Sequence, residues 1–205
     1  MSRGLVDRLR AAVDPLPAAG TAPPPEVTAA VLLLADAEQP GLPLLFIRRT
    51  RLVRTHRGQV AFPGGGVEPA DGGVVGAATR ETQEELGIAA ADVEPLGVLS
   101  TVVTRGSQRG LCPVVAVQRR AVEPVPDGWE VAEWFRIPIT ELLAAPLTSR
   151  HIPGMESDGR ESVVHFYEVR GRVIWGATAA VLHDLLGRLR AGAGVHTDRG
   201  GGAGQ

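Results

Sequence analysis

Short apolar runs separated by turn-forming residues occupy most of the chain. Residues 27–35 and 42–48 are two such runs, divided by polar residues, Gly and Pro, and they predict neighbouring strands of one sheet. The same pattern predicts strands at 60–62, 93–103, 111–118 and 129–135, a helical turn at 139–143, and a hairpin of 163–169 with 172–175. Between them, 49–58 is predicted as a loop and the Pro-Gly-Gly-Gly segment 63–66 as a turn.

Three segments have the spacing of amphipathic helices. Residues 3–13 and 177–189 predict terminal helices, and 73–86 predicts a helix that ends at Gly87. Strands interleaved with few helices favour an α/β fold of the α+β type, in which helices pack on a mixed β-sheet. We expect an N-terminal helix and Pro/Ala-rich linker over 1–26, one folded domain over 27–190, and a disordered Gly-rich tail over 191–205.

Composition narrows the classes of function. A net charge of −2 gives no electrostatic reason to expect a nucleic-acid or anionic-membrane partner. Every basic residue other than histidine is an arginine, a bias typical of a GC-rich bacterial genome. The single cysteine, Cys112, lies in an apolar run, so we interpret it as a buried side chain rather than a nucleophile. The lone thiol and the absence of a long apolar run predict a cytoplasmic protein without a secretory signal.

The predicted helix 73–86 carries the most informative chemistry. Residues three and four apart share a helix face, so Glu81, Glu84 and Glu85 should project together. Like charges at this spacing repel, and a divalent cation such as Mg²⁺ or Mn²⁺ would remove the repulsion because it prefers carboxylate oxygens. Arg80 is placed to reach Glu84 one turn on. The alternative is an ordinary solvated acidic face.

The glycine-rich segment before this helix favours the metal interpretation. Together, the two segments resemble the box of the Nudix hydrolase family, G-x5-E-x7-R-E-U-x-E-E-x-G-U, in which U is a bulky aliphatic residue. Its second half matches at six positions: Arg80, Glu81, Glu84, Glu85, Gly87 and Ile88. The first half departs from the pattern, because Asp71 replaces the first Glu and one extra residue precedes Arg80, so we assign Asp71 no role as a ligand. Thr82 also replaces the aliphatic residue.

Residues 45–65 resemble the signature of the coenzyme A pyrophosphatase branch of that family, L-L-T-x-R-[SA]-x3-R-x3-G-x3-F-P-G-G. The residues in register are Arg49, Arg54, Gly58, Phe62, Pro63, Gly64 and Gly65. Two further features of this chain resemble that branch: the extra residue before Arg80 and the segment 174–179. Five arginines between positions 48 and 57 suit the phosphates of coenzyme A, although a solvated basic loop is the alternative.

The resemblance implies a Nudix-type α/β/α sandwich and a metal-dependent diphosphatase. Coenzyme A or an acyl derivative would give 4′-phosphopantetheine, or its acyl form, and adenosine 3′,5′-bisphosphate. The implied metal ligands are Glu81, Glu84 and Glu85, and the Gly65 or Gly66 carbonyl is a further candidate. The implied catalytic residues are Glu81, Arg80 and Glu84, and the implied substrate-binding residues are Arg49, Arg54, His56, Gly64 and Gly65.

Several assignments stay open from the sequence. The general base is either Glu81 or a residue of another loop, for which the candidates are Glu130, Glu133, His151, Glu156 and Glu161. The alternative substrates are ADP-ribose, NADH or a nucleoside triphosphate, and the alternative to an enzyme is a non-catalytic Nudix-fold ligand-binding module. The resemblance also implies a homodimer. Charge and hydropathy predict no membrane and no obligate nucleic-acid partner.

Overall fold

A computed structural model describes residues 2–52, 57–104, 109–151 and 163–194. The helices are α1 Ser2–Ala11, α2 Val74–Leu86, α3 Ile139–Ala144 and α4 Gly176–Gly194. The strands are β1 Val27–Ala35, β2 Pro43–Arg49, β3 Val60–Ala61, β4 Gly64–Gly66, β5 Val93–Val98, β6 Val102–Thr104, β7 Arg109–Gln118, β8 Val131–Pro138, β9 Leu147–His151, β10 Val163–Val169 and β11 Arg172–Trp175. No helix in the described part of the chain is long and apolar enough to cross a membrane.

Two sheets form the β structure. The larger is mixed, with the order β3-β2-β1-β7-β5, while β4 pairs with β1, β6 with β7 and β8 with β2. The β1–β7 pairing is parallel and the other pairings are antiparallel. The smaller sheet is antiparallel, with the order β11-β10-β9. The predicted mixed sheet is therefore confirmed.

Apolar layers cover both faces of the large sheet, because alternate side chains of a strand point to opposite faces. On β1, Leu33 and Ala35 pack in the layer that contains α4, whereas Leu32 and Leu34 pack in the layer beneath α2. The strand reads as one continuous apolar run for this reason. The helices on both sides give the α/β/α sandwich that the family resemblance implied.

The structure corrects several predicted elements. Residues 64–66 form strand β4, which pairs with β1, instead of a turn. The predicted strand 93–103 is divided into β5 and β6. Strand β9 was not predicted, since its side chains are all exposed and it lacks an apolar stripe. The last helix runs to Gly194, four residues into the predicted tail. Cys112 is buried, as predicted.

Candidate active site

Helix α2 presents its acidic face to the glycine strand β4. Its opposite side is anchored in the core by buried residues that include Val74, Ala78 and Leu86. Thr82 is also fully buried, which is possible because its hydroxyl donates to the Ala78 carbonyl at 2.7 Å. The helix ends at Gly87, whose left-handed φ of 69° suits glycine and whose N–H donates to the Gln83 carbonyl. The predicted helix and its end are both confirmed.

The glycines of β4 allow strand β1 on one side and Glu81 of α2 on the other to come close to the β4 backbone. A Cβ on Gly64 would lie 2.3 Å from the Ala30 carbonyl oxygen of β1, and its φ of 144° further excludes other residues. A Cβ on Gly65 would lie 2.5 Å from the carboxylate carbon of Glu81. A side chain at position 64 or 65 therefore does not fit between β1 and the acidic face of α2.

Glu85 is the most deeply buried carboxylate of the site, with 3% of the residue exposed. Its Oε2 accepts a hydrogen bond from the Gly64 N–H at 3.0 Å, and Arg49 Nη1 lies 3.6 Å from Oε1. Oε1 itself has no hydrogen-bond partner among the described residues. Burial, opposed by the Gly64 N–H and Arg49, raises the pKa of Glu85 to about 8.

Glu81 and Glu84 are held differently, although both contact Arg80. Glu81 faces Gly65, with 20% of its side chain exposed, and burial raises its pKa against the opposing effect of Arg80. Glu84 is 59% exposed and accepts a hydrogen bond from Arg80 Nη1 at 3.0 Å. Arg80 joins Glu81 and Glu84, and the charge of Glu84 contributes to the raised pKa of Glu81. Glu84 is the most exposed of the three helix glutamates.

Arg80 also fixes the loop that leads into α2. Its Nε donates to Asp71 Oδ1 at 2.7 Å, and its Nη2 donates to the Gly66 carbonyl at 2.9 Å. Asp71 in turn accepts the Glu68 N–H, and the arginine holds the pKa of Asp71 below its usual range. Asp71 thus tethers the loop, and the Gly66 carbonyl that was considered as a metal ligand is occupied by Arg80.

A third carboxylate reaches the site from the loop before β8. Glu130 Oε2 accepts a hydrogen bond from Arg49 Nη2 at 2.8 Å, so that Arg49 bridges Glu130 and Glu85. Its charge contributes to the raised pKa values of Glu81 and Glu85, which places all three carboxylates in one electrostatic neighbourhood. From the sequence, Glu130 was only one of five candidates, and no periodicity distinguished it.

Two further candidates for the general base have other surroundings. Glu133 is bound to Arg48 and Arg172, and His151 is exposed on β9. Arg54, His56, Glu156 and Glu161, which were candidates for substrate contact or general base, lie outside the described residues.

The carboxylates fit a divalent cation, although in the described part of the chain no three acidic, histidine or cysteine side chains are already arranged as a metal site. The buried Glu85 Oε1 lacks a hydrogen bond, and carboxylate oxygens are the ligands that Mg²⁺ and Mn²⁺ prefer. In this arrangement Arg49 and Arg80 supply the positive charge that a cation would otherwise provide.

A mixed sheet between helices, with a glycine strand against clustered helix glutamates, defines a Nudix-type diphosphatase site. The NUDIX domain family matches residues 24–157, and the chain belongs to this family.

Similar proteins agree with this assignment. An uncharacterized Nudix hydrolase, NudL, of Photorhabdus laumondii subsp. laumondii is 34% identical over 161 residues, covering 78% of this chain and 84% of that protein. NudL of an Enterobacter species is 36% identical over 159 residues, covering 77% and 80%. Among solved structures, a MutT protein from Methanosarcina mazei Go1 aligns with a TM-score of 0.52 at 17% identity, covering 80% of this chain and 93% of that one, which shows a shared fold.

Proposed function

We propose that this Nudix hydrolase cleaves the diphosphate bond of coenzyme A or an acyl derivative, using Mg²⁺ or Mn²⁺. The products would be 4′-phosphopantetheine, or its acyl form, and adenosine 3′,5′-bisphosphate. The observation that carries the diphosphatase chemistry is the buried Glu85 carboxylate, which has an unbonded oxygen beside Glu81 and Gly64. The choice of coenzyme A rests on the signature in residues 45–65.

Glu81, Glu84 and Glu85 are the proposed metal ligands, and Glu130 is added because it is close to Glu81 and Glu85. A bound divalent cation neutralises diphosphate oxygens and activates water for attack on phosphorus. Glu84 would join this set by releasing Arg80, its partner at the surface.

The chain's own residues supply positioning and proton transfer. Arg80 holds the helix glutamates and the Asp71 loop in register with β4. Glu81 and Glu130 are the two carboxylates proposed to accept a proton from the attacking water. Burial raises the pKa of Glu81, which brings this carboxylate closer to the working pH and favours it as the general base.

Arginine recognition of the substrate phosphates is part of the same proposal. Arg49 neutralises Glu85 and Glu130 in this structure, and metal binding to those carboxylates would release its guanidinium for a diphosphate oxygen. Arg54 and His56 are proposed to contact substrate on the signature alone, together with the backbone of Gly64 and Gly65.

Product analysis by mass spectrometry tests the substrate. The purified chain with Mg²⁺ is incubated with coenzyme A, acetyl-coenzyme A, dephospho-coenzyme A, ADP-ribose and NADH. We expect 4′-phosphopantetheine or its acetyl form as the main product, and slower cleavage of dephospho-coenzyme A, which lacks only the 3′-phosphate. Preferential cleavage of ADP-ribose or NADH would reject coenzyme A, and no cleavage of any diphosphate would reject the enzyme.

The variant Glu85→Gln tests the metal assignment in the same assay. We expect a rate at least about 100-fold lower, because the loss of a charged ligand weakens the binding of the cation that neutralises the diphosphate and activates water. The matched control is Glu94→Gln, because Glu94 is a surface carboxylate that also pairs with an arginine, Arg10. A near wild-type rate in Glu85→Gln would contradict the assignment.

A further inference from the structure

Two large apolar side chains stand in solvent beside the carboxylate site. Trp129 is 66% exposed and Leu52 is 64% exposed. No ring or guanidinium in the described part of the chain stacks on the Trp129 indole. Exposing an indole to water is unfavourable, so an exposed and well-positioned one indicates a surface that something else covers.

One buried residue ties the two positions together. The Thr50 hydroxyl donates to the Trp129 carbonyl at 2.6 Å and accepts the Leu52 N–H at 3.3 Å. The Thr50 N–H donates to the Glu130 carbonyl at 2.7 Å. Leu52 and Trp129 therefore belong to two loops that are fixed side by side, with their apolar side chains on the outside.

The backbone around Trp129 does not depend on the indole for its conformation. Asp127 Oδ1 accepts the N–H groups of Trp129, Glu130 and Val131 at 3.0–3.1 Å. The Asp127 N–H itself donates to the Glu85 carbonyl at 3.0 Å, at the end of α2. The loop thus carries the indole at a fixed place relative to the carboxylates, and the indole contributes little to holding the loop.

We propose that Trp129, with Leu52 beside it, is the stacking platform for the purine base of the nucleotide half of the substrate. This rests on the proposed function, since it requires a nucleoside diphosphate at the carboxylates. A purine offers a flat π-face that matches an indole, and base–aromatic stacking is substantial without hydrogen-bond readout. The pantetheine half is flexible and amide-rich, and it has no such face.

The test compares a ligand that has the base with one that lacks it. Binding of AMP and of ribose 5-phosphate to the full chain is measured by saturation-transfer NMR in the presence of Mg²⁺, since neither ligand contains a diphosphate bond that could be cleaved. We expect AMP to bind the wild type roughly tenfold more tightly. Trp129→Leu keeps apolar bulk but removes the π-face, and it should abolish that difference, whereas Trp129→Phe should keep most of it.

The matched control is Trp175→Leu, because Trp175 is also exposed, at 43%, but lies on the small sheet. It should bind AMP as the wild type does. The proposal is overturned by equal binding of AMP and ribose 5-phosphate in the wild type, including no detectable binding of either. Wild-type binding of AMP by Trp129→Leu, or the loss appearing in Trp175→Leu instead, also overturns it.

Failure of the proposed function has a different signature. If coenzyme A is not cleaved but AMP still binds through Trp129, the substrate assignment fails and the platform stands. If coenzyme A is cleaved and Trp129→Leu leaves its KM and kcat unchanged, the platform fails and the function stands. With the platform correct, KM rises roughly tenfold in Trp129→Leu while kcat is maintained, because stacking acts on ground state and transition state alike.

Discussion

Burying Glu85 should make the metal-free protein less stable as the pH rises. Its pKa of about 8 in the folded chain exceeds the ordinary value of 4.5, so the folded state prefers the protonated carboxyl. The stability is therefore complete below about pH 4.5 and declines as the pH rises towards 8. At roughly 1.4 kcal/mol per pH unit, the full loss is about 5 kcal/mol before relaxation of the site reduces it.

The substitution Glu85→Gln removes this titration and keeps an oxygen for the Gly64 N–H. We expect urea denaturation in EDTA at pH 5 and pH 8.5 to show a smaller loss of stability for the variant than for the wild type. Excess Mg²⁺ should restore the wild type at pH 8.5, since a ligand that binds only the folded state stabilises it, and should leave the variant unchanged. A wild-type stability that is flat between the two pH values, or a variant that responds fully to Mg²⁺, would refute this reasoning.

Three further predictions concern other parts of the structure. Gly65→Ala should lower activity at least tenfold, because the added Cβ would displace the Glu81 carboxylate. Gly66→Ala should keep the wild-type activity, because the space around its Cβ is open, and equal kinetics of the two variants would contradict this prediction. Asp71→Asn should cost about 1–2 kcal/mol in urea denaturation at pH 7, and the difference should shrink as the pH falls through the lowered pKa of Asp71; a constant difference would argue against the ion pair. Burial and the stacked His183 lower the pKa of His165, so the melting temperature of the wild type should fall as the pH drops from 7 to 5. His165→Phe should remove part of that fall, and a variant with the same pH dependence of melting temperature as the wild type would count against this prediction.

Local patterns predicted the helix and its acidic face, because spacing and the C-terminal glycine act within one element. The same spacing predicted that Arg80 reaches Glu84, which is confirmed. It did not predict that Arg80 also binds Asp71 and the Gly66 carbonyl, since those contacts join α2 to a loop and to another strand. The glycines were expected to form a turn, but their missing side chains allow them to pair with β1 as a strand.

Long-range contacts explain what the sequence did not predict. Glu130 and Glu85 are 45 positions apart, and only the β2–β8 pairing and the Asp127 loop bring them to the same arginine. Strand β9 exists because β10 pairs with it, although its own residues have no apolar pattern. The sequence therefore predicted which carboxylates could act in the site, and the pairing of distant strands and loops determines which of them lie close together.

The segment 125–131 is fastened to the last turn of α2 by two backbone hydrogen bonds, from Val125 N to Leu86 O and from Asp127 N to Glu85 O. The segment therefore cannot move away from α2 unless both bonds break. Product release by an outward movement of this segment would first have to break them.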